Sequence, residues 1–134
     1  MDLIYTSSLE GITPEQLEGF FVGWPNPPSP QTHLRILKGS SHVVLALDGE
    51  RVVGFVNAIS DGVLSAYIPL LEVLPPYQGR GVGSELMRRM LEQLEGFYMA
   101  DLPCEPELAP FYERFGMRRA AGMFLRNYAR QAGS

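Results

Sequence analysis

The hydrophobic and polar positions along the chain change period several times, and each change predicts an element. Leu3 to Thr6 reads as a short first strand. Thr13-Pro14-Glu15-Gln16 combines an N-cap threonine, a proline at the first helical position and a glutamine able to reach back to the cap, so a helix is expected from there to about Phe20. Trp24-Pro25-Asn26-Pro27-Pro28-Ser29-Pro30 can be neither helix interior nor central strand, because prolines fix the backbone and remove donors. It reads as a stiff loop, and Ser29-Pro30 opens a second short helix to about Leu37. His42 to Leu47 and Arg51 to Ile59 are apolar runs joined by Asp48-Gly49-Glu50, a hairpin signal. After the turn signal Asp61-Gly62, Val63 to Leu74 predicts the longest strand. Ser84 to Leu94 places Leu86, Met87, Met90, Leu91 and Leu94 on one helical face. Phe97 to Leu102 predicts a strand, Leu108 to Phe115 a short helix, and Met117 to Ala120 and Met123 to Tyr128 two late strands around Ala121-Gly122. Strands in the first half, a helix crossing between Leu74 and Phe97 and a closing hairpin make an α/β or α+β chain with one sheet of mixed direction.

Between the longest strand and the helix after it lies Val73-Leu74-Pro75-Pro76-Tyr77-Gln78-Gly79-Arg80-Gly81-Val82-Gly83-Ser84. Gly79, Gly81 and Gly83 remove side chains where the backbone must bend, so successive amides can converge on one anion at a helix N-terminus. A mononucleotide P-loop needs a lysine followed by Ser or Thr after its last glycine, whereas Gly83 is followed by Ser84 and Glu85, an acid that would repel a triphosphate. The dinucleotide spacing Gly-x-Gly-x-x-Gly fails too, since Gly79-x-Gly81-x-x leads to Ser84. A tight turn without any ligand is the bland alternative.

The remaining pattern, Gln78-Gly79-Arg80-Gly81-Val82-Gly83, resembles the pyrophosphate-binding turn of the GNAT superfamily of N-acetyltransferases. Val73-Leu74-Pro75 precedes it at the family's distance, and Pro110-Phe111-Tyr112-Glu113-Arg114-Phe115-Gly116-Met117 resembles the family's second signature. The resemblance spans essentially the whole chain, with the part before Val43 matching in element order only. It implies a mostly antiparallel sheet with a central, splayed parallel pair, the strands ending near Leu74 and Leu102, flanked by helices. It also implies acetyl-CoA as cosubstrate, with Gln78, Gly79, Arg80, Gly81, Val82, Gly83 and Ser84 on the pyrophosphate, and the backbone of Val73 and Leu71 on the pantetheine arm and thioester carbonyl. Tyr112 matches the tyrosine whose hydroxyl reaches the coenzyme sulfur; a phenol with pKa about 10 stays protonated at neutral pH and can donate to a departing thiolate.

The base is less plainly written. Many family members carry a glutamate where this chain has Tyr67. Glu72, beside Val73, is the nearest carboxylate on the strand, either a base acting directly or through water, or a strand-edge charge facing solvent. Asp101, at the end of the facing strand, is a second candidate, with an amine-binding role. Trp24 lies in the proline-rich loop, which either covers the acceptor side of the cleft or simply connects two helices. Cys104 has no histidine near it in sequence and reads as a small buried hydrophobe rather than an acyl-carrying nucleophile.

Composition narrows the classes. At 134 residues and 46% hydrophobic, the chain is expected to form one domain, 1–134, with a single core. Eleven basic residues against 15 acidic give −4, and no basic run exceeds two residues, so no nucleic-acid partner is expected. The single cysteine rules out an internal disulfide and a cysteine-rich zinc site, and no metal is expected. No leader or membrane-spanning run is present, which points to the cytoplasm. The expected function is acetyl transfer from acetyl-CoA to a primary amine, of a small molecule rather than a protein lysine or N-terminus, by direct attack in a ternary complex. A homodimer is compatible with this reading. The rival is a non-catalytic acyl-CoA sensor that keeps the turn and lacks the base.

Overall fold

The structure, a computed structural model, describes residues 2–134. Its sheet has five strands in the order β1 (Ile4–Thr6), β2 (His42–Asp48), β3 (Arg51–Ser60), β4 (Ser65–Val73) and β5 (Met99–Asp101). All neighbours are antiparallel except β4 and β5, which run parallel. The helices are α1 (Pro30–Gly39), α2 (Val82–Gln93) and α3 (Ala109–Glu113). The parallel pair requires a crossover, and α2 supplies it, as the sequence predicts.

The two faces of the sheet are packed differently. A Cβ on Gly54 of β3 would lie 3.0 Å from Leu86 and 3.4 Å from Val82, so α2 rests almost on the strand backbone and a larger residue would push these side chains back. Leu86, Met87 and Met90 are fully buried beneath that helix. Phe55, the next residue of β3, points to the other face, where Leu17, Phe20, Phe21 and the α1 residues His33, Leu34 and Leu37 close over it. Burying such side chains is worth about 1.5–3 kcal/mol each.

The β3–β4 ladder contains an irregularity that matters later. Asn57 pairs with Leu70 but Ile59 pairs with Tyr67, so β4 carries one extra residue, a bulge, in the stretch holding Pro69. Proline has no amide for a ladder and is tolerated in a strand at such a place.

Several elements are shorter than expected. The turn at 61–64 consumes the start of β4, because the Asp61 carboxylate accepts the amides of Val63 and Leu64, both at 2.8 Å, and of Ser65 at 3.2 Å. Those bonds hold the Asp61 carboxyl below its ordinary range. The first helix shrinks to a single 3-10 turn, Pro14–Leu17. Gln16 does reach back to the Thr13 amide, at 2.8 Å, but Glu18 is extended and Gly19 has φ +95°, which turns Phe20 into the core. Strand β5 keeps only Met99–Asp101 of the expected 97–102, and Pro103 ends any continuation. The late helix is α3, preceded by a 3-10 turn at Pro106–Leu108. The two late strands at 117–120 and 123–128 do not form: the segment runs exposed, with one 3-10 turn at Tyr128–Arg130, because no strand lies alongside to share its hydrogen bonds.

His33 is 1% exposed, and neither ring nitrogen has a hydrogen-bond partner among the described residues. Phe55, Phe21 and Phe20 surround it with ring centroids at 4.4, 4.9 and 5.3 Å. Burial among these rings lowers its pKa from 6.5 to about 4. Above pH 6.5 the ring is neutral folded and unfolded, so its contribution to stability is constant. As pH falls from 6.5 towards 4, the unfolded chain binds a proton that the folded chain refuses, and stability drops by about 3 kcal/mol. Denaturant midpoints measured across this window should fall in the wild type, and less steeply in His33→Leu. Equal slopes would show that His33 does not titrate as its surroundings dictate.

Candidate active site

The site begins where β4 and β5 separate. Their pairing runs only from Ser65 with Met99 to Tyr67 with Asp101, whereas β4 continues to Val73. In an antiparallel ladder, alternate residues turn their amide and carbonyl toward the partner strand and away from it. Leu74 donates to the Val53 carbonyl at 2.9 Å, and Gly54 stands opposite Val73. The amides of Val73 and Leu71 therefore point away from β3, into the side that β5 has left. The Val73 carbonyl faces the same way and accepts from the Gln78 side chain at 2.9 Å.

The chain then turns through the glycine stretch. Pro75–Tyr77 forms a 3-10 turn, and the Tyr77 hydroxyl donates to the Asp48 carboxylate at the end of β2, which pins the turn to the sheet. Gly79 and Gly81 have φ of +76° and +82°, the left-handed region that favours glycine, and a Cβ on either would meet nothing within 4 Å. Gly81 is the N-cap of α2 and offers no side-chain cap; the first helical bond is Glu85 N–H to the Gly81 carbonyl, 3.0 Å. The amides of Gly81, Val82, Gly83 and Ser84 stand at the start of the helix, where no carbonyl within α2 can accept them, and that of Gly79 lies in the turn before it. Gly83 differs from the other two: its φ is helical, and an added Cβ would make ordinary contacts at 3.8 Å with Phe111 and Val73.

Side chains around the turn adjust its field. Glu85, the acid at this helix end, is held by Arg88 and Arg89, each at 2.6 Å, and these bonds lower its pKa to about 2. Its charge is therefore met locally by two guanidinium groups. Arg114, in the segment after α3, donates to the Ser84 hydroxyl at 3.3 Å and lies over the Phe111 ring at 5.2 Å. Sequence reasoning assigned Arg114 no role, although it stands two residues after Tyr112 in the second signature.

Tyr112, on α3, is half-buried with its ring edge-on to Phe111 at 4.9 Å. Its hydroxyl makes no hydrogen bond with the described residues. Burial first, and then Cys104 nearby, push its pKa above the ordinary tyrosine value. Cys104 itself is exposed, contrary to the expectation of a buried thiol, because the chain has already left the sheet at Pro103.

Glu72 is engaged rather than loose at the strand edge. Its two oxygens accept the amides of Phe21 at 2.8 Å and Val22 at 3.2 Å. Phe21 has φ +63°, a left-handed conformation costly for a bulky residue, and the carboxylate helps to hold it there. Trp24 packs on Phe21 at 4.8 Å and donates its amide to the Phe21 carbonyl, so the loop bearing Trp24 is fastened to β4 through Glu72. Tyr67 and Asp101 meet as register partners. They line an open pocket of about 500 Å³ with Ile59 and Met99, at the opposite end of β4 from the glycine turn. The sequence-derived residues thus fall into a line of backbone donors from Leu71 to Ser84, a tyrosine on α3, a carboxylate tied to the Trp24 loop, and a pair at the closed end of the splay.

Residues 9–117 match the family model described as the acetyltransferase (GNAT) family. The crystal structure of a candidate acetyltransferase from Deinococcus radiodurans R1 is 55% identical and superposes with a TM-score of 0.95, covering 98% of this chain and 92% of that one. A GNAT family acetyltransferase from Streptococcus pneumoniae TIGR4 is 30% identical with a TM-score of 0.77, over 94% of this chain and 98% of its own. An uncharacterized N-acetyltransferase, ycf52, of Pyropia yezoensis is 29% identical over 84% of this chain and 69% of its own length.

The Glu72 contacts generate a prediction. Glu72→Gln replaces one accepting oxygen with an NH2 group, so one loop amide loses its partner and the strained Phe21 loses support. The folded state should weaken by about 1–2 kcal/mol. Emission from Trp24, the single tryptophan, should shift to the red as the loop loosens. An unchanged denaturant midpoint with unchanged emission would show that the two bonds do not hold the loop.

Proposed function

Because the chain belongs to the GNAT family of acetyltransferases and is an acyltransferase, we propose that it moves the acetyl group of acetyl-CoA to a primary amine of a small molecule, by direct attack in a ternary complex. The observation that carries this reading is the pair of outward-facing amides at the open edge of β4, those of Leu71 and Val73, followed by the glycine turn at the N-terminus of α2. The residues fit the coenzyme: the turn presents donors and open space rather than side chains, and Arg114 lies beside it.

When bound, acetyl-CoA supplies an activated thioester. In this reading the amides of Gly79, Gly81, Val82, Gly83 and Ser84 hold the pyrophosphate, with the flanking Gln78 and Arg80 part of the same turn and Arg114 adding a cation. The Leu71 and Val73 amides hold the pantetheine arm and stand ready for negative charge on the thioester oxygen. The transfer forms a C–N bond and breaks a C–S bond, so a proton must leave the amine and one must reach the thiolate. Tyr112 donates the second, its burial keeping the phenol protonated. Glu72 is the acceptor for the first: each of its oxygens keeps a further lone pair while bonded to Phe21 or Val22. Asp101 and Tyr67 offer a carboxylate and an aromatic edge to a cationic acceptor approaching from the closed end of the splay. The Trp24 loop, anchored over β4, favours a small acceptor over a protein tail. The reading treats the whole chain as one catalytic domain of the cytoplasm; among the described residues no helix is long and apolar enough to cross a membrane.

Gly83 is the best position for a test of the turn. Asp in the first turn of a helix is favourable, and a Cβ meets no clash there, so Gly83→Asp should fold as well as the wild type. It should nevertheless lose coenzyme A binding, since its carboxylate would occupy the place of the anion. Calorimetric titration that found unchanged affinity would remove the pyrophosphate assignment. Tyr112→Phe should bind acetyl-CoA within a few-fold of wild type while turnover on an amine panel falls by about 10²-fold. Full turnover in that variant would leave Tyr112 as packing, and no thiol release from any amine by the wild type would favour a sensor.

A further inference from the structure

An ammonium must lose two protons to become an amide, and Glu72 accounts for one of them. A primary alkylamine, with a pKa of about 10.4 like the lysine side chain, arrives at neutral pH almost wholly protonated. It sheds one proton before its lone pair can attack and the second as the C–N bond forms. Glu72 takes the second, and both of its oxygens are already engaged with the amides of Phe21 and Val22. The first proton needs an acceptor where the ammonium docks.

The closed end of the splay holds one. Two carboxylates line the open pocket of about 500 Å³ there, and they differ in what they already hold. Asp61 is spent on its own turn, accepting the amides of Val63 and Leu64 at 2.8 Å and of Ser65 at 3.2 Å. Asp101 is exposed and makes no hydrogen bond or ion pair with the described residues. It stands opposite Tyr67 at the last pair before β4 and β5 part, and Ile59 stands opposite Tyr67 on β3. Tyr67 and Ile59 are both exposed in the pocket. A carboxylate beside an aromatic ring and an apolar side chain suits an ammonium on a hydrocarbon body.

The register also sets the distance to the reacting carbonyl. Leu71 pairs with Val56 and Tyr67 with Ile59, so the two levels are three residues of β3 apart, about 10 Å. An acetyl group resting on the Leu71 amide, the attacking amine and one water fill that span between them.

We propose that Asp101 is a catalytic residue of the transfer, the acceptor of the first proton. The docked R–NH3+ gives a proton to the Asp101 carboxylate, directly or through one water, and R–NH2 is left with a free lone pair. A carboxyl is a far stronger acid than an ammonium, so the proton does not stay. The exposure of Asp101 lets it pass to solvent, which restores the carboxylate. The neutral amine then attacks, its second proton goes to Glu72, and Tyr112 protonates the departing thiolate, so one proton reaches solvent per amide formed. This role rests on acetyl transfer to a primary amine being the reaction.

Thiol release from acetyl-CoA, measured with the best acceptor of an alkylamine panel across pH 7 to 9, tests it. Asp101→Asn should keep the wild-type denaturant midpoint, since the side chain has no partner to lose, and should bind acetyl-CoA within a few-fold. Its kcat/KM at pH 7 should be lower by about 10²-fold. That deficit should shrink as pH rises, because the free amine in solution grows about tenfold per pH unit below the amine's pKa and does the work of Asp101. A residue that merely attracted the cation would show a constant deficit over this range, since the amine stays mostly protonated to about pH 10. Asp101→Glu should keep most of the activity. The deficit of Glu72→Gln should not shrink with pH, because its proton leaves only as the bond forms. A pH-independent deficit in Asp101→Asn overturns the proposal, as does wild-type turnover in that variant, and in both cases acetyl transfer itself stands. No thiol release by the wild type with any amine overturns the two together.

Discussion

The divergence of β4 from β5 is the constraint on which the rest of this molecule depends. Two parallel strands that stay paired consume their amides; here the pairing stops at Tyr67 and Asp101 while β4 runs on to Val73. The bulge beside Pro69 resets the register with β3, and Pro103 stops β5 soon after its last paired residue. What remains is a strand bonded firmly on one edge and unpaired on the other, inside an otherwise well-packed domain. Buried or half-buried amides without partners are costly, so such an edge persists where something else can satisfy it.

The same strand acts through its side chains as well as its edge. Val73 and Leu71 present amides sideways and pack toward α2, while Glu72 between them faces the opposite layer and holds Phe21 in a conformation that a phenylalanine would otherwise avoid. Phe21 touches both Trp24 and the buried ring of His33, which in turn lies on Phe55 of β3. The carboxylate on β4 and the aromatic layer beneath the Trp24 loop are therefore one connected unit. A change at Glu72 acts on loop geometry as well as on any proton it handles, and kinetic effects at that residue have to be read together with stability.

Local electrostatics, rather than net charge, make the glycine turn suitable for an anion. The chain is formally −4, and the first turn of α2 even carries an acid. Glu85, however, is bound by two guanidinium groups, and the dipole and unpaired amides of the helix end face the turn unopposed. The screening length at physiological salt, about 8 Å, lets these near groups outweigh distant surface charge.

The order of strands and helices, the hairpin at Gly49 and the glycine turn were legible in the sequence, because periodicity, turn chemistry and glycine or proline placement are local properties of a few adjacent residues. The amides of Leu71 and Val73 were singled out by resemblance alone, from two family-like motifs at the right spacing. What adjacency could not reveal was decided by packing. Residues 117–128 have strand propensity, yet a strand exists only where another lies beside it, and the single chain provides none. Cys104 has a buried residue's chemistry but sits where the chain has left the sheet. Glu72 finds its partners about 50 residues away in sequence, and Arg114 reaches Ser84 across 30. Pro69 was visible all along as a residue that a central strand does not hold without a bulge, but only the register with β3 showed what it interrupts. Propensity belongs to the residue, whereas pairing, exposure and contact belong to the fold, and the second set decided where the candidate residues stand.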